Sequence, residues 1–195
     1  MPLWGTTHDS ATNKPKWAPT DENSDYSKGD IYATNSGWVQ QAGTAASGND
    51  RTTADPEVLV AIGGLAGISA ATGLKTATPT SMRFVQASYA AGSRTMTVEV
   101  TWDEEITVTG TPQLSIQNSR TSPSGHNLSY TATGSTANRK RFTAASQTLQ
   151  EDDVLTIGGE NIQLNGGTLK DQGTTPADAS LVLGGLTAVT KTVTA

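Results

Sequence analysis

The chain has 195 residues, of which 34% are hydrophobic and 5% aromatic, and a formal net charge of −5. That length holds one full domain and a smaller attachment, and so thin an apolar supply suits strands with one buried face better than the core of a large α/β enzyme. The acidic balance repels phosphate backbones and disfavours nucleic acid, the absence of cysteine removes disulfides and thiolate metal sites, and no unbroken apolar run approaches the ~20 residues of a membrane-spanning helix.

The first 55 or so residues are polar and irregular, with Pro2, Pro15 and Pro19 and many Asn, Asp and Ser. No basic and apolar leader opens them, which reads as a chain made in the cytoplasm. Trp4, Trp17 and Trp38 nevertheless stand in this arm. Linkers are poor in large aromatics, so these tryptophans are expected to dock on something: the rest of the chain, another copy, or a different protein. Ile31 to Thr34 and Gly37 to Val39 read as two short strands about an Asn35-Ser36 turn. Val58 to Ile62 reads as a third, ended by Gly63-Gly64. A helix capped by Asp55 with Pro56 in its first turn competes, but β-branched residues and glycines favour the strand. Residues 68–79 are small and polar and read as a linker.

From Met82 the period changes to two. Met96, Val98, Val100 and Trp102 alternate with Thr97, Glu99 and Thr101, which describes a half-buried strand ending on a core tryptophan. Ile106 and Val108 follow, then a Gly110-Thr111-Pro112 turn, then Leu114 and Ile116. Further strands are expected around Leu128 and Tyr130, Phe142, Leu155 and Ile157, Ile162 and Leu164, and Leu181 and Leu183. Seven or eight short strands separated by turn residues over about 110 residues predict an antiparallel sandwich with almost no helix.

The stretch Met96-Thr97-Val98-Glu99-Val100-Thr101-Trp102-Asp103-Glu104-Glu105-Ile106-Thr107-Val108-Thr109-Gly110-Thr111-Pro112-Gln113-Leu114, with Ile162-Gln163-Leu164-Asn165-Gly166-Gly167-Thr168-Leu169-Lys170-Asp171, resembles the bacterial immunoglobulin-like repeats of large surface adhesins. The match runs over roughly residues 82–183 and departs at Arg141-Phe142-Thr143-Ala144-Ala145, where the family carries an aromatic-rich strand. Trp4-Gly5, Pro15-Lys16-Trp17, Gly37-Trp38-Val39 and Glu57 to Leu65 resemble virion structural proteins of tailed phages of marine cyanobacteria. Together the resemblances imply a phage particle component with an immunoglobulin-like domain.

Catalytic chemistry finds little footing. His8 stands in the irregular arm and His126 in a Ser-Gly loop, where each reads as a solvated turn residue. Asp103-Glu104-Glu105, Glu151-Asp152-Asp153 and Asp171 read as solvated strand ends. Loop carboxylates are also what calcium uses, but no spaced Asp-x-Asp-x-Asp-Gly loop is present. Gly63-Gly64-Leu65-Ala66-Gly67 lacks the Lys-Ser or Lys-Thr of a phosphate loop and reads as a turn. Arg139 and Arg141 read as solvated charges on an edge strand.

The expectation is therefore an all-β protein: residues 1–79 as an anchoring arm with a small β region, and 80–195 as an immunoglobulin-like antiparallel β-sandwich. It is expected to be no enzyme, to need no cofactor or metal, and to sit on the capsid surface of a virion as a decoration or cement protein. A tail or collar protein and a bacterial adhesin module are the alternatives. Expected partners are the major capsid protein or other virion proteins, further copies of the chain, and weakly a host-surface glycan, but neither nucleic acid nor a membrane. The contact residues are expected to be Trp4, Trp17 and Trp38 with Val58, Val60 and Ile62; internal packing of the tryptophans is the competing reading.

Overall fold

The computed structural model describes residues 28–44, 47, 49–66, 74, 76–172 and 176–195. Trp4, His8 and Trp17 lie outside them. Among the described residues the chain is all-β, with one short 3-10 turn at Lys28–Asp30 and no α-helix. The strands are β1 (Ile31–Thr34), β2 (Gly37–Gln40), β3 (Glu57–Ala61), β4 (Pro79–Phe84), β5 (Tyr89–Ala90), β6 (Gly92–Trp102), β7 (Ile106–Thr109), β8 (Gln113–Asn118), β9 (Gly125–Thr131), β10 (Arg139–Leu149), β11 (Val154–Ile157), β12 (Thr168–Asp171) and β13 (Val189–Thr194). They fall into two compact units that are not simple halves. The first gathers Met1–Thr80, Trp102–Val108 and Leu169–Ser180; the second holds Ser81–Thr101, Thr109–Thr168 and Leu181–Ala195.

In the first unit β1, β2 and β3 form an antiparallel sheet in that order. The Asn35-Ser36 turn is closed by Thr34, whose hydroxyl accepts from Ser36 N–H at 3.2 Å and donates to Gly37 O at 3.3 Å. Gly37 follows at φ 129°, and a Cβ there would collide with the Val60 carbonyl, so only glycine lets β3 close on β2. The core of this unit is Ile31, Ala33, Trp38, Leu65, Ala66 and Leu74, flanked by Leu59, Val60 and Ile62. Strand wins over helix at β3. Within the stretch expected as a linker, the described residues do more: Leu74 and Ala77 are fully buried, Leu74 N–H donates to Leu65 O, and Pro79 begins β4.

The second unit is built on an eight-stranded sheet in the order β4-β6-β10-β9-β8-β11-β13-β5. The β6–β10, β10–β9, β9–β8, β8–β11 and β11–β13 pairs are antiparallel, and β13–β5 is parallel. Its edge strands, β4 and β5, are joined by only four residues, 85–88, and Phe84 meets Tyr89 edge to face at 5.8 Å. The sheet must therefore curl until its ends meet, enclosing Met96, Val98, Leu114, Ile116, Leu128 and Phe142. Beyond the curl, the Leu164–Gly167 turn packs on Gly110, where an added Cβ would come within 2.8 Å of Gly167 Cα.

Several expected elements differ. No strand forms at Leu181 and Leu183, and Ile162 to Leu164 contribute only a bridge from Gln163 to Gln113. The last strand is β13, whose Val-Thr-Lys-Thr-Val alternation carries too few apolar side chains to stand out in the sequence. β10 is an interior strand between β6 and β9, so Arg139 and Arg141 are not edge charges. β10 also carries a bulge between Ala144 and Gln147, with Ser146 at φ 56°.

Candidate functional site

The residues expected at a contact surface separate in the structure. Trp38 is fully buried in the first unit, where it fills the internal role. Val60 and Ile62 pack half-buried against the same cluster. Val58, on the same strand, is 52% exposed and remains available to a partner.

The acidic clusters are largely buried instead of solvated. Asp103, in the first unit, has no exposed surface; its Oδ1 accepts from Thr78 N–H at 2.6 Å and its main chain accepts from Ala33 N–H at 2.7 Å. Asp103 thus braces two segments of that unit, one through its carboxylate and one through its main chain. Glu104 is equally buried and bridges backbone to Ala33. Asp171 is 1% exposed and accepts from Ala177 N–H at 2.8 Å. In the second unit Glu151 and Asp152 are exposed as expected, while Asp153 is buried. Among the described residues no group of three or more His, Asp and Glu is placed to hold a metal ion, and no helix is long and apolar enough to cross a membrane.

Two polar networks organise the second unit. The first centres on Glu99 of β6, directly opposite Arg141 of β10 in the ladder. Arg141 Nε–H donates to Glu99 Oε2 at 2.8 Å, Arg83 donates through Nε and Nη2 to Oε1 at 3.0 and 2.9 Å, and Arg139 stands 3.8 Å from Oε1. Glu99, expected on an exposed face, is buried because these arginines cover it. Burial pushes its carboxyl up, but the Arg141 hydrogen bond and the charges of Arg83 and Arg139 outweigh that and hold it below the usual carboxylate range.

The second network joins β8, β9, β10 and the turn before β11. Asp153 Oδ2 accepts from Arg120 Nη2 at 2.6 Å, Asn118 Nδ2 at 3.2 Å and Gln150 N–H at 2.8 Å. Burial raises its carboxyl, and these donors more than reverse the shift. His126 is no surface turn residue: it lies in β9, buried, between Asn118 and Gln147. Beside it opens a cleft of about 380 Å³ lined by Ser115, Gln117, Ser124, Asn127 and Glu160. Its polar groups pair with one another, Ser115 Oγ–H with Asn127 and Gln117 Nε2–H with Glu160, at 2.6 and 3.3 Å.

Neither network presents a nucleophile beside a base. Both spend their charges on fixing strands to each other. Sequence reasoning missed them because Glu99, Asn118, Gln147 and Asp153 are far apart in the chain and ordinary in composition. The one available signal was a glutamate and an arginine on the polar faces of two long alternating strands. No protein-family model, curated protein or solved structure matches the chain.

Proposed function

We propose that the second unit is an immunoglobulin-like sandwich and that the chain is a non-enzymatic structural protein of a phage particle, a capsid decoration or cement protein displaying that domain. The observation that carries the fold reading is the strand order. Immunoglobulin-like domains place strands A, B, E and D in one sheet and C, F and G in the other. Naming β4, β6, β8, β9, β10, β11 and β13 as A to G turns the observed order into A-B-E-D followed by C-F-G. β5 is then a detached second piece of the first strand, lying parallel beside the last.

The particle reading draws on the N-terminal motifs. Gly37-Trp38-Val39 and Glu57 to Ala61 stand apart in the sequence but are neighbouring strands of one sheet, so the resemblance to virion proteins falls on one folded piece. That piece, with Val58 exposed on it, is the anchor to the major capsid protein or to other virion proteins. The sandwich projects outward, contacting copies of itself or, weakly, a host-surface glycan. A role without catalysis agrees with charged groups that brace strands.

The test is mass spectrometry of purified particles with cryo-electron microscopy. Capsid density that fits both units supports the reading. Density at the tail or collar moves the protein there, and absence from particles overturns the proposal in favour of a cell-surface module.

A further inference from the structure

The two amides that flank His126 are each oriented by a further hydrogen bond. Asn118 donates an amide hydrogen to Asp153 Oδ2, and its Oδ1 accepts from Arg120 N–H at 3.2 Å, which fixes the amide's orientation. The same Nδ2 lies 3.4 Å from His126 Nε2, so that ring nitrogen accepts. On the other side Gln147 Nε2 donates to Ala145 O at 2.9 Å, leaving Gln147 Oε1 as the acceptor 2.9 Å from His126 Nδ1. The tautomer that suits both neighbours carries its hydrogen on Nδ1. The β10 bulge, where two residues loop out before Gln147, coincides with this contact.

A second proton on this ring has one place to go, Nε2, and there it would point an N–H at the Asn118 NH2. Turning the Asn118 amide over to accept it withdraws the hydrogen bond to Asp153 and sets NH2 against Arg120 N–H. No rotation of that amide serves both. The charged groups around the ring are Asp153 and Arg120, reached through Asn118, and Glu160 across the cleft; β10 contributes the uncharged Gln147. The cleft gives water a route to a side chain that is otherwise buried.

Asp153 also holds the end of the chain. Its carbonyl accepts from Val193 N–H at 2.9 Å, and Asp152 N–H donates to Val193 O at 3.0 Å, fixing β13 beside the turn at Gln150 to Asp153. We propose that His126 is a proton-operated latch: protonation at Nε2 breaks the Asn118–Asp153 link and loosens the attachment of β13.

The experiment uses the full chain with His8→Gln, which leaves His126 as the sole imidazole. Nitrogen-15 NMR at pH 8 is expected to report the Nδ1–H tautomer. As the pH is lowered, the appearance of the imidazolium signature is expected to coincide with at least a tenfold loss of protection of the Val193 amide, while Val98 in β6 keeps its protection. His126→Gln is expected to retain Val193 protection across the same range. An Nε2–H tautomer at pH 8 overturns the latch. So does Val193 protection that is unchanged while the ring takes its proton, or an equal acid loss in His126→Gln.

Discussion

Glu99 and Arg141 face each other across the β6–β10 ladder, and the Arg141 Nε–H donates to Glu99 Oε2 at 2.8 Å. With Arg83 and Arg139 also within reach, one buried carboxylate gathers three guanidinium groups from two strands, β4 and β10. Removing it leaves their charges facing each other with little water between them. Glu99→Gln is expected to destabilise the fold by about 2–4 kcal/mol, somewhat below a fully buried pair because the arginines are partly solvated. Urea denaturation followed by circular dichroism measures this. A midpoint equal to wild type removes the network from the account of stability.

Acid is expected to act through Glu99 and Asp153. Both carboxyls lie below their ordinary range in the folded chain. The unfolded chain therefore binds protons first as pH falls, and the stability these groups contribute is fully present above the ordinary range near pH 4 and lost below it as pH drops through the folded values. Thermal melts from pH 7 to pH 2 should fall most steeply below about pH 4. Asp153→Asn should flatten part of that slope.

The first unit should depend on Trp38 and on the glycine before it. Trp38→Ala empties the centre of a small cluster and is expected to cost about 3–5 kcal/mol. Gly37→Ala places a methyl against the Val60 carbonyl at φ 129° and is expected to unpair β3 from β2. Hydrogen exchange of the Val39 and Val60 amides reads both effects, and unchanged protection in either variant contradicts the packing described.

Val58 separates stability from binding. It is half exposed on β3, so Val58→Asp should shift stability by no more than about 0.5 kcal/mol. If β3 anchors the protein, the same variant should lose at least tenfold in co-sedimentation with particles stripped of the native protein. Full retention would move the anchor elsewhere.

Much of the architecture was legible in the sequence. The period of two in Met96 to Trp102, the Asn35-Ser36 turn and the Gly110-Thr111-Pro112 turn fix local chain direction through short-range sterics, and β1, β2, β3, β6, β7 and β8 appear where those signals put them. The all-β class follows from the same alternation. β13 escaped because a Thr-rich strand earns its place from partners, β11 and β5, that the sequence does not identify.

The polar side chains were decided by tertiary structure alone. Whether Arg141 is a solvated edge charge or a half-buried partner depends on which strand lies beside it. Pairing with β6 sets it against Glu99 and turns an apparent surface charge into an internal tie. His126 and Asp153 follow the same logic: one looked like a turn residue and the other like a solvated strand end, and each became buried because Asn118, Gln147 and Arg120 arrive from elsewhere in the chain to satisfy it. Alternation of apolar residues is a local property of the chain, whereas burial of a charge is possible only where distant partners converge. That is why the strands could be read in advance and the networks could not.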